Sequence, residues 1–325
     1  MVLLPYTSDE QDRFAELAEI YLACREAYRD LMTETSAKPV PGSRCASDLA
    51  ELAGRKPPVA EDSEGLIVWA VQLYLYAASE HIGSLSALYG ANEVLIAPLV
   101  VGRAAIENSA HVIWILGSSD ERAEDRLARA FLEAIFGAEE AKKQSGRLRG
   151  KDDAEHKERT QHYRWLKKRA AESFKEPHQD PDGRPLLRGH QLPGPEQLVM
   201  QANHLMSQPL TDELMQGTYG FLSNFVHPTF YALEELFNVS EQNGQKIPAL
   251  NRDLSFHDRL ARLVVGPFYH ALAYASSYNG WTSQRFEQLN EDIVRLLPDT
   301  FVAGPSPGPF DQPSRNLTTR SGEHI

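Results

Sequence analysis

Residues 94–116 read VLIAPLVVGRAAIENSAHVIWIL, and this stretch decides the fold. A run of this length and apolarity is long enough to span a bilayer as a helix. Arg103, Glu107 and His111 stand near its middle, where ionisable groups are costly in hydrocarbon, so the stretch reads as a buried helix of a water-soluble bundle. The three residues recur every fourth position. On an ideal helix they form one narrow polar stripe on an otherwise apolar cylinder. A buried ionisable group needs a partner, so a second polar stripe is expected to face this one. The segment YGFLSNFVHP supplies it, with Tyr219, Ser223 and His227 at the same spacing.

The neighbouring segments have the same helical character. A first helix is expected from Ser8 to Thr33, and a loop rich in Pro, Gly and Ser over 38–62. A central helix follows through EGLIVWAVQLYLYAASEHIGSLSALYG, apolar almost all round, which adds Glu80 and His81 and whose Trp and Tyr residues read as core rather than as a cofactor box. Pro98 fits only near the first turn of the helix that contains Arg103. Asp120 is expected to cap a fourth helix, in which Arg122, Arg126, Arg129 and Glu133 read as a surface salt-bridge lattice. Residues 147–195 form a charged and Pro/Gly-rich excursion. Its RLRGKDDAEHKERTQHYRWLKKR part suits a solvated helix with a thin apolar seam, or a nucleic-acid contact through its basic residues and Trp165. Further helices are expected at 197–206, at 212–226, through TFYALEELFNV, through FHDRLARLVVGPFYHALAYASSYNGW with a kink at Gly266 and Pro267, and through SQRFEQLNEDIVRLL. The reading is an all-α multi-helix bundle with long antiparallel helices: one domain over 1–300 and a disordered tail over 301–325.

Composition narrows the function. The net charge is −12 over 325 residues, which argues against a general nucleic-acid or anionic-membrane binder. The two cysteines, Cys24 and Cys45, lie in no metal-binding spacing, and the N-terminal apolar run is too short for a secretion signal, so a cytoplasmic location is expected.

RAAIENSAHVIWILGSSDERAEDRLARAFLEA followed at a distance by YGFLSNFVHP resembles the DUF5677-type family of uncharacterised bacterial helical proteins, many of them actinobacterial. The resemblance covers roughly 69–237 without the 146–195 insert. It implies that Arg103, Glu107, Arg126, Ser223 and His227 matter, with Arg126 turned inward, but it brings no established activity. A more distant resemblance is to HEPN helical bundles, some of them RNases of toxin and defence systems. Their Arg-to-His nuclease spacing is not kept here: Asn224 and His227 have no Arg at that spacing before them.

The expected function is therefore an uncharacterised binding or regulatory module, by family analogy in defence or stress responses. Its polar pocket would be built from Arg103, Glu107, His81, His111, Arg126, Tyr219, Ser223 and His227. One alternative is a metal-independent RNase with His227 as acid/base, Arg103 stabilising phosphate charge and Glu107 beside them. Another is a metal-dependent enzyme with ligands from Glu107, His111 and His81. No cofactor is expected, the partner being a small molecule or a protein. RNA enters only under the nuclease alternative, no membrane is involved, and self-association into a homo-oligomer stays open.

Overall fold

The computed structural model describes residues 6–61, 63–174, 179–180, 183–206, 210–227, 229–242, 245–250, 253–298, 300–301 and 309–310. Among them are eleven helices and one hairpin. In chain order they are α1 (Ser8–Glu34), α2 (Arg44–Ala53), α3 (Leu66–Gly90), α4 (Ala97–Leu116), α5 (Ala123–Arg149), α6 (Ala154–Ser173), α7 (Pro195–Leu205), α8 (Asp212–Val226) and α9 (Phe230–Glu234). The strands β1 (Phe237–Gln242) and β2 (Gln245–Leu250) follow, then α10 (Leu254–Asn279) and α11 (Gln284–Leu296). The all-α class holds.

Local chemistry sets the helix ends. Thr7 and Glu10 form a reciprocal capping box on α1, and Ser43, Thr211 and Ser283 cap α2, α8 and α11. Pro98 sits in the first turn of α4, which therefore starts at Ala97. Asp120 does not cap α5. Arg122 occupies that position and Asp125, three residues on, accepts its backbone N–H at 3.4 Å. Pro267 lies inside α10, which runs on as one helix past it.

Contacts along the long helices fix their directions. Tyr21 meets Tyr89, Ser86 donates to the Ala18 carbonyl and Arg25 meets Glu80, so α1 and α3 are antiparallel. Arg126 with Leu116 and Glu133 with His111 make α4 and α5 antiparallel as well. The α4 helix packs chiefly against α3 and α10, and Gly102 faces α10. A Cβ there would meet Val264 at 3.1 Å and Leu260 at 3.4 Å. By length and composition α4 could cross a membrane, but 61% of its most apolar window is buried inside this bundle. The buried residues of all these helices form one contiguous core.

Three expectations need correction. The 38–62 loop contains α2, whose inward face is Cys45, Asp48 and Leu52. The helical reading of TFYALEELFNV ends at Glu234, and β1 pairs antiparallel with β2 from Phe237↔Leu250 to Gln242↔Gln245. The aromatics of α3 are not all core: Trp69, Leu73 and Tyr76 are 58%, 47% and 56% exposed. They share the one side of α3 that the neighbouring helices leave uncovered. The expectation of disorder over 301–325 falls almost wholly outside the described residues. Phe310 is described, and its ring packs 5.4 Å from that of Tyr278 and 5.1 Å from the Arg126 guanidinium. The charged stretch after 147 does form a helix, α6, whose seam of Leu166, Ala170 and Ser173 is buried.

Candidate functional site

The polar stripe of α4 divides between two partners. Its first half faces α8. Arg103 Nε donates to Glu107 Oε1 at 2.8 Å, and Arg103 Nη2 donates to Tyr219 Oη at 2.8 Å. Tyr219 Oη in turn donates to Glu107 Oε1 at 2.6 Å. The guanidinium also lies over the Tyr219 ring at 5.0 Å. Burial pushes the Tyr219 phenol up to about 12, and its bond to Glu107 adds to the effect. Burial opposes the Arg103 charge, but Tyr219 and Glu107 outweigh it and raise its pKa. These three side chains bond one another across the α4–α8 seam, while Arg103 Nη1 stays buried without a hydrogen-bond partner.

The rest of the expected second stripe does not join them. Ser223 Oγ donates to the carbonyl of Tyr219, one turn back on its own helix, at 2.8 Å. His227 ends α8 as an exposed residue, with its backbone N–H on the Ser223 carbonyl at 3.0 Å. Eight residues separate it from Tyr219, which is about 12 Å along a helix axis. His227 and Arg103 therefore do not converge on one point. His81 is half-buried on α3, and burial lowers its pKa. Among the described residues no hydrogen bond or ion pair engages it. His81, Glu107 and His111 do not converge either, and among the described residues no group of three His, Cys, Asp or Glu is placed to hold a metal ion.

The other half of the α4 stripe faces α5. His111 Nδ1 bonds Glu133 Oε1 at 2.5 Å, and Tyr74 Oη donates to Glu133 Oε2 at 2.6 Å. The His111 and Tyr74 rings stack at 4.2 Å with 4° between their planes. Glu133 is buried, 5% exposed, so both of its oxygens are used where water cannot reach them. Burial, and then the Glu133 charge, push the Tyr74 phenol far above its ordinary value. Its hydroxyl thus stays a proton donor to the carboxylate. The result is an imidazole fixed by Tyr74 on one face and by Glu133 at Nδ1, with Nε2 making no hydrogen bond among the described residues.

That imidazole borders a cavity of about 870 Å³. Leu132, Phe136 and Glu139 of α5 form one wall, and the segment 183–198, running into the first turn of α7, forms the other. Two ion pairs pin this segment to α5: Arg188 Nη1 to Glu124 Oε2 and Arg188 Nε to Asp125 Oδ1, each at 2.7 Å. Gln191 Nε2 of this segment donates to Asp180 Oδ2, just before it, at 3.0 Å.

Of the arginines expected on the surface of α5, Arg122 is exposed, but Arg126 and Arg129 are inside. Arg126 is fully buried. It pairs with Asp48 of α2 at 3.0 Å and donates to the carbonyls of Leu116, Ser118 and Glu121 at 2.8, 2.7 and 2.9 Å. It ties α2 to the end of α4 and does not reach the Arg103 cluster. Arg129, 4% exposed, contacts Glu121 and lies 6.0 Å from the Trp114 ring; burial pushes its pKa down to about 10. Gly117, at φ 60° and ψ −155°, makes the turn that brings Glu121 back to Arg129. That region is open almost only to glycine, and a Cβ there would collide with both side chains. Gly117→Ala is expected to cost about 1–3 kcal/mol, measured by urea unfolding. A loss below about 0.5 kcal/mol would show that the turn relaxes freely.

Sequence reading missed Tyr74 and Glu133. Tyr74 was grouped with the core aromatics and Glu133 with Arg129 as a surface pair. The available signal was the position of Glu133 in ARAFLEAIF, an acid with apolar residues on every side.

A helical bundle with a carboxylate-anchored imidazole at the edge of a cavity is the class of protein that these features define. Residues 69–246 match the family of unknown function DUF5677, and the chain belongs to that family. The match includes Tyr74, Arg103, Glu107, His111, Arg126, Glu133 and Tyr219, but not α2, α10 or α11. No curated protein and no solved structure matches the chain.

Proposed function

We propose that the protein is a small-molecule-binding regulatory module whose ligand sits in the cavity beside His111. The observation that carries this is the fixed imidazole: with Nδ1 held by Glu133 and the ring stacked on Tyr74, Nε2 remains for a ligand. The cavity volume, about 870 Å³, lies within the range of small-molecule sites, about 300–1,000 Å³. Apolar walls from Leu132, Phe136 and Leu192 suit a ligand with a hydrophobic body and one polar end. The 183–198 segment leads directly into α7, which packs on α4 and α8. Occupancy would therefore be transmitted to the face that carries Tyr219, which makes regulation the fitting role. Cys24 and Cys45 are buried and unpaired, in keeping with a reducing compartment such as the cytoplasm.

A metabolite library screened by thermal shift on the full chain tests the proposal. Hits are expected to lose at least about tenfold in affinity in His111→Ala and in Phe136→Asp, with the fold intact. Hits indifferent to both changes would overturn it. A second reading makes the ligand a substrate, because a carboxylate-oriented imidazole with a free Nε2 is suited to general acid–base work. His111→Asn would then abolish turnover of the hits while leaving their binding within about threefold.

A further inference from the structure

A smaller cavity of about 160 Å³ lies between α7, α8, α10 and Phe301, away from His111. Arg262, Gly266 and His270 border it at successive fourth positions of α10, so one face of that helix lines the cavity. Arg262 is half-buried, and its Nε is buried without a hydrogen-bond partner. No ion pair to its guanidinium exists among the described residues. A guanidinium N–H cut off from water ordinarily has an acceptor. No Asp or Glu borders this cavity among the described residues.

His270 makes the same point independently. It is 6% exposed and has no hydrogen-bond partner among the described residues. Its ring meets the Tyr269 and Phe301 rings edge-on, each at 5.9 Å. With no partner inside the protein, its ring nitrogens are left for whatever occupies the cavity it borders. Pro267 adds a third polar group, because it has no N–H to give to the carbonyl of Leu263, which also borders the cavity. The remaining wall is apolar, from Met206, Leu210, Met215 and Phe301.

We propose that this cavity binds a small monocarboxylate, with Arg262 and His270 taking the carboxylate and the methionine and leucine side chains taking a short hydrocarbon tail. One cation and one imidazole match a single negative charge. A phosphate dianion would need more donors and would gain nothing from the apolar wall. The volume is that of about five water molecules, so the ligand has roughly five to eight heavy atoms. The neutral imidazole, its pKa pushed down to about 4 by burial, supplies one N–H to the second carboxylate oxygen.

Titration calorimetry on the full chain tests this, with butanoate, 3-methylbutanoate, butanamide and inorganic phosphate as probes. The carboxylates are expected to bind with a Kd of about 1 mM or tighter. Butanamide, of the same shape without the charge, should bind at least about tenfold more weakly. Arg262→Gln should weaken the carboxylates by a similar factor. Because that side chain holds no other residue in place, the variant should unfold at the wild-type midpoint. His111→Ala should leave carboxylate binding unchanged, which separates this site from the larger cavity. The proposal is overturned by equal affinity for amide and acid, by unchanged binding in Arg262→Gln, by binding of phosphate alone, or by no binding of either carboxylate.

Discussion

Replacing Arg126 with Met is expected to cost about 3–5 kcal/mol of folding free energy, the usual penalty for breaking one side of a buried ion pair. The side chain is fully buried, and its partner Asp48 is 1% exposed. Methionine is close in size, so the loss would come from charge and hydrogen bonding rather than from a cavity. Asp48 would keep Arg44, at 2.7 Å, and the Tyr278 hydroxyl, at 3.0 Å, but lose the guanidinium that neutralises it in the interior. The carbonyls of Leu116, Ser118 and Glu121 would lose their donor together, at the turn that joins α4 to α5. Burial lowers the pKa of this guanidinium and the Asp48 charge opposes that shift, so the two groups depend on each other. The double variant Arg126→Met with Asp48→Asn should therefore lose less than the two single changes combined. Urea unfolding at neutral pH gives all three values, and a single-variant loss below about 1 kcal/mol would mean that Arg126 is held by packing alone.

The same pair explains what the sequence concealed. The inward positions of α2 are 45, 48 and 52, a helical spacing with an acid in the middle. Asp48 reads as solvent-facing until its partner is known, and that partner lies 78 residues away. A Pro- and Gly-rich flank completes the disguise. The α5 charges mislead in the same way: Arg126, Arg129 and Glu133 have the spacing of a surface lattice, yet Arg126 and Glu133 answer groups on other helices and Arg129 answers Glu121 in the turn before α5. Local spacing specifies which residues share a face, not which face is covered. On α4 the hydrophobic pattern was unambiguous, so the helix, its burial and its stripe were all legible. The sharing of Arg103 and Glu107 with Tyr219 followed from the need to pair buried charge. The diversion of His111 to α5 did not, because a stripe of three residues says nothing about two different neighbours. The hairpin had a legible sign, Asn243-Gly244, a pair favoured in two-residue turns. The few apolar residues around it gave no strand periodicity strong enough to stand out.

Acid is expected to destabilise the ligand-free protein well before its carboxylates are protonated. Burial pushes both His257 and His270 down to about 4 from an ordinary 6.5. For His257, the charges of Asp258, Asp253 and Glu10 work against that shift without cancelling it. The folded state thus resists a proton that the unfolded chain accepts below 6.5. The unfolded state binds more protons in this window, so stability rises with pH across it. The contribution of each ring is complete above 6.5 and is lost as the pH falls towards 4. At about 1.4 kcal/mol for each pH unit, each ring accounts for up to about 3 kcal/mol. The free energy of unfolding should be nearly level above pH 7 and then fall by about 4–6 kcal/mol between pH 6.5 and 4. His270→Leu should remove close to half of that fall, since its ring has no hydrogen bond to lose. His257→Gln should remove a similar share, at some cost at every pH, because His257 Nδ1 is bonded to the Tyr89 hydroxyl at 2.9 Å. Urea unfolding at half-unit steps from pH 8 to 4 separates the two contributions. A wild-type profile that stays level down to pH 4.5 would show that both rings take up protons in the folded state as readily as in the unfolded one, and that neither is closed off from water.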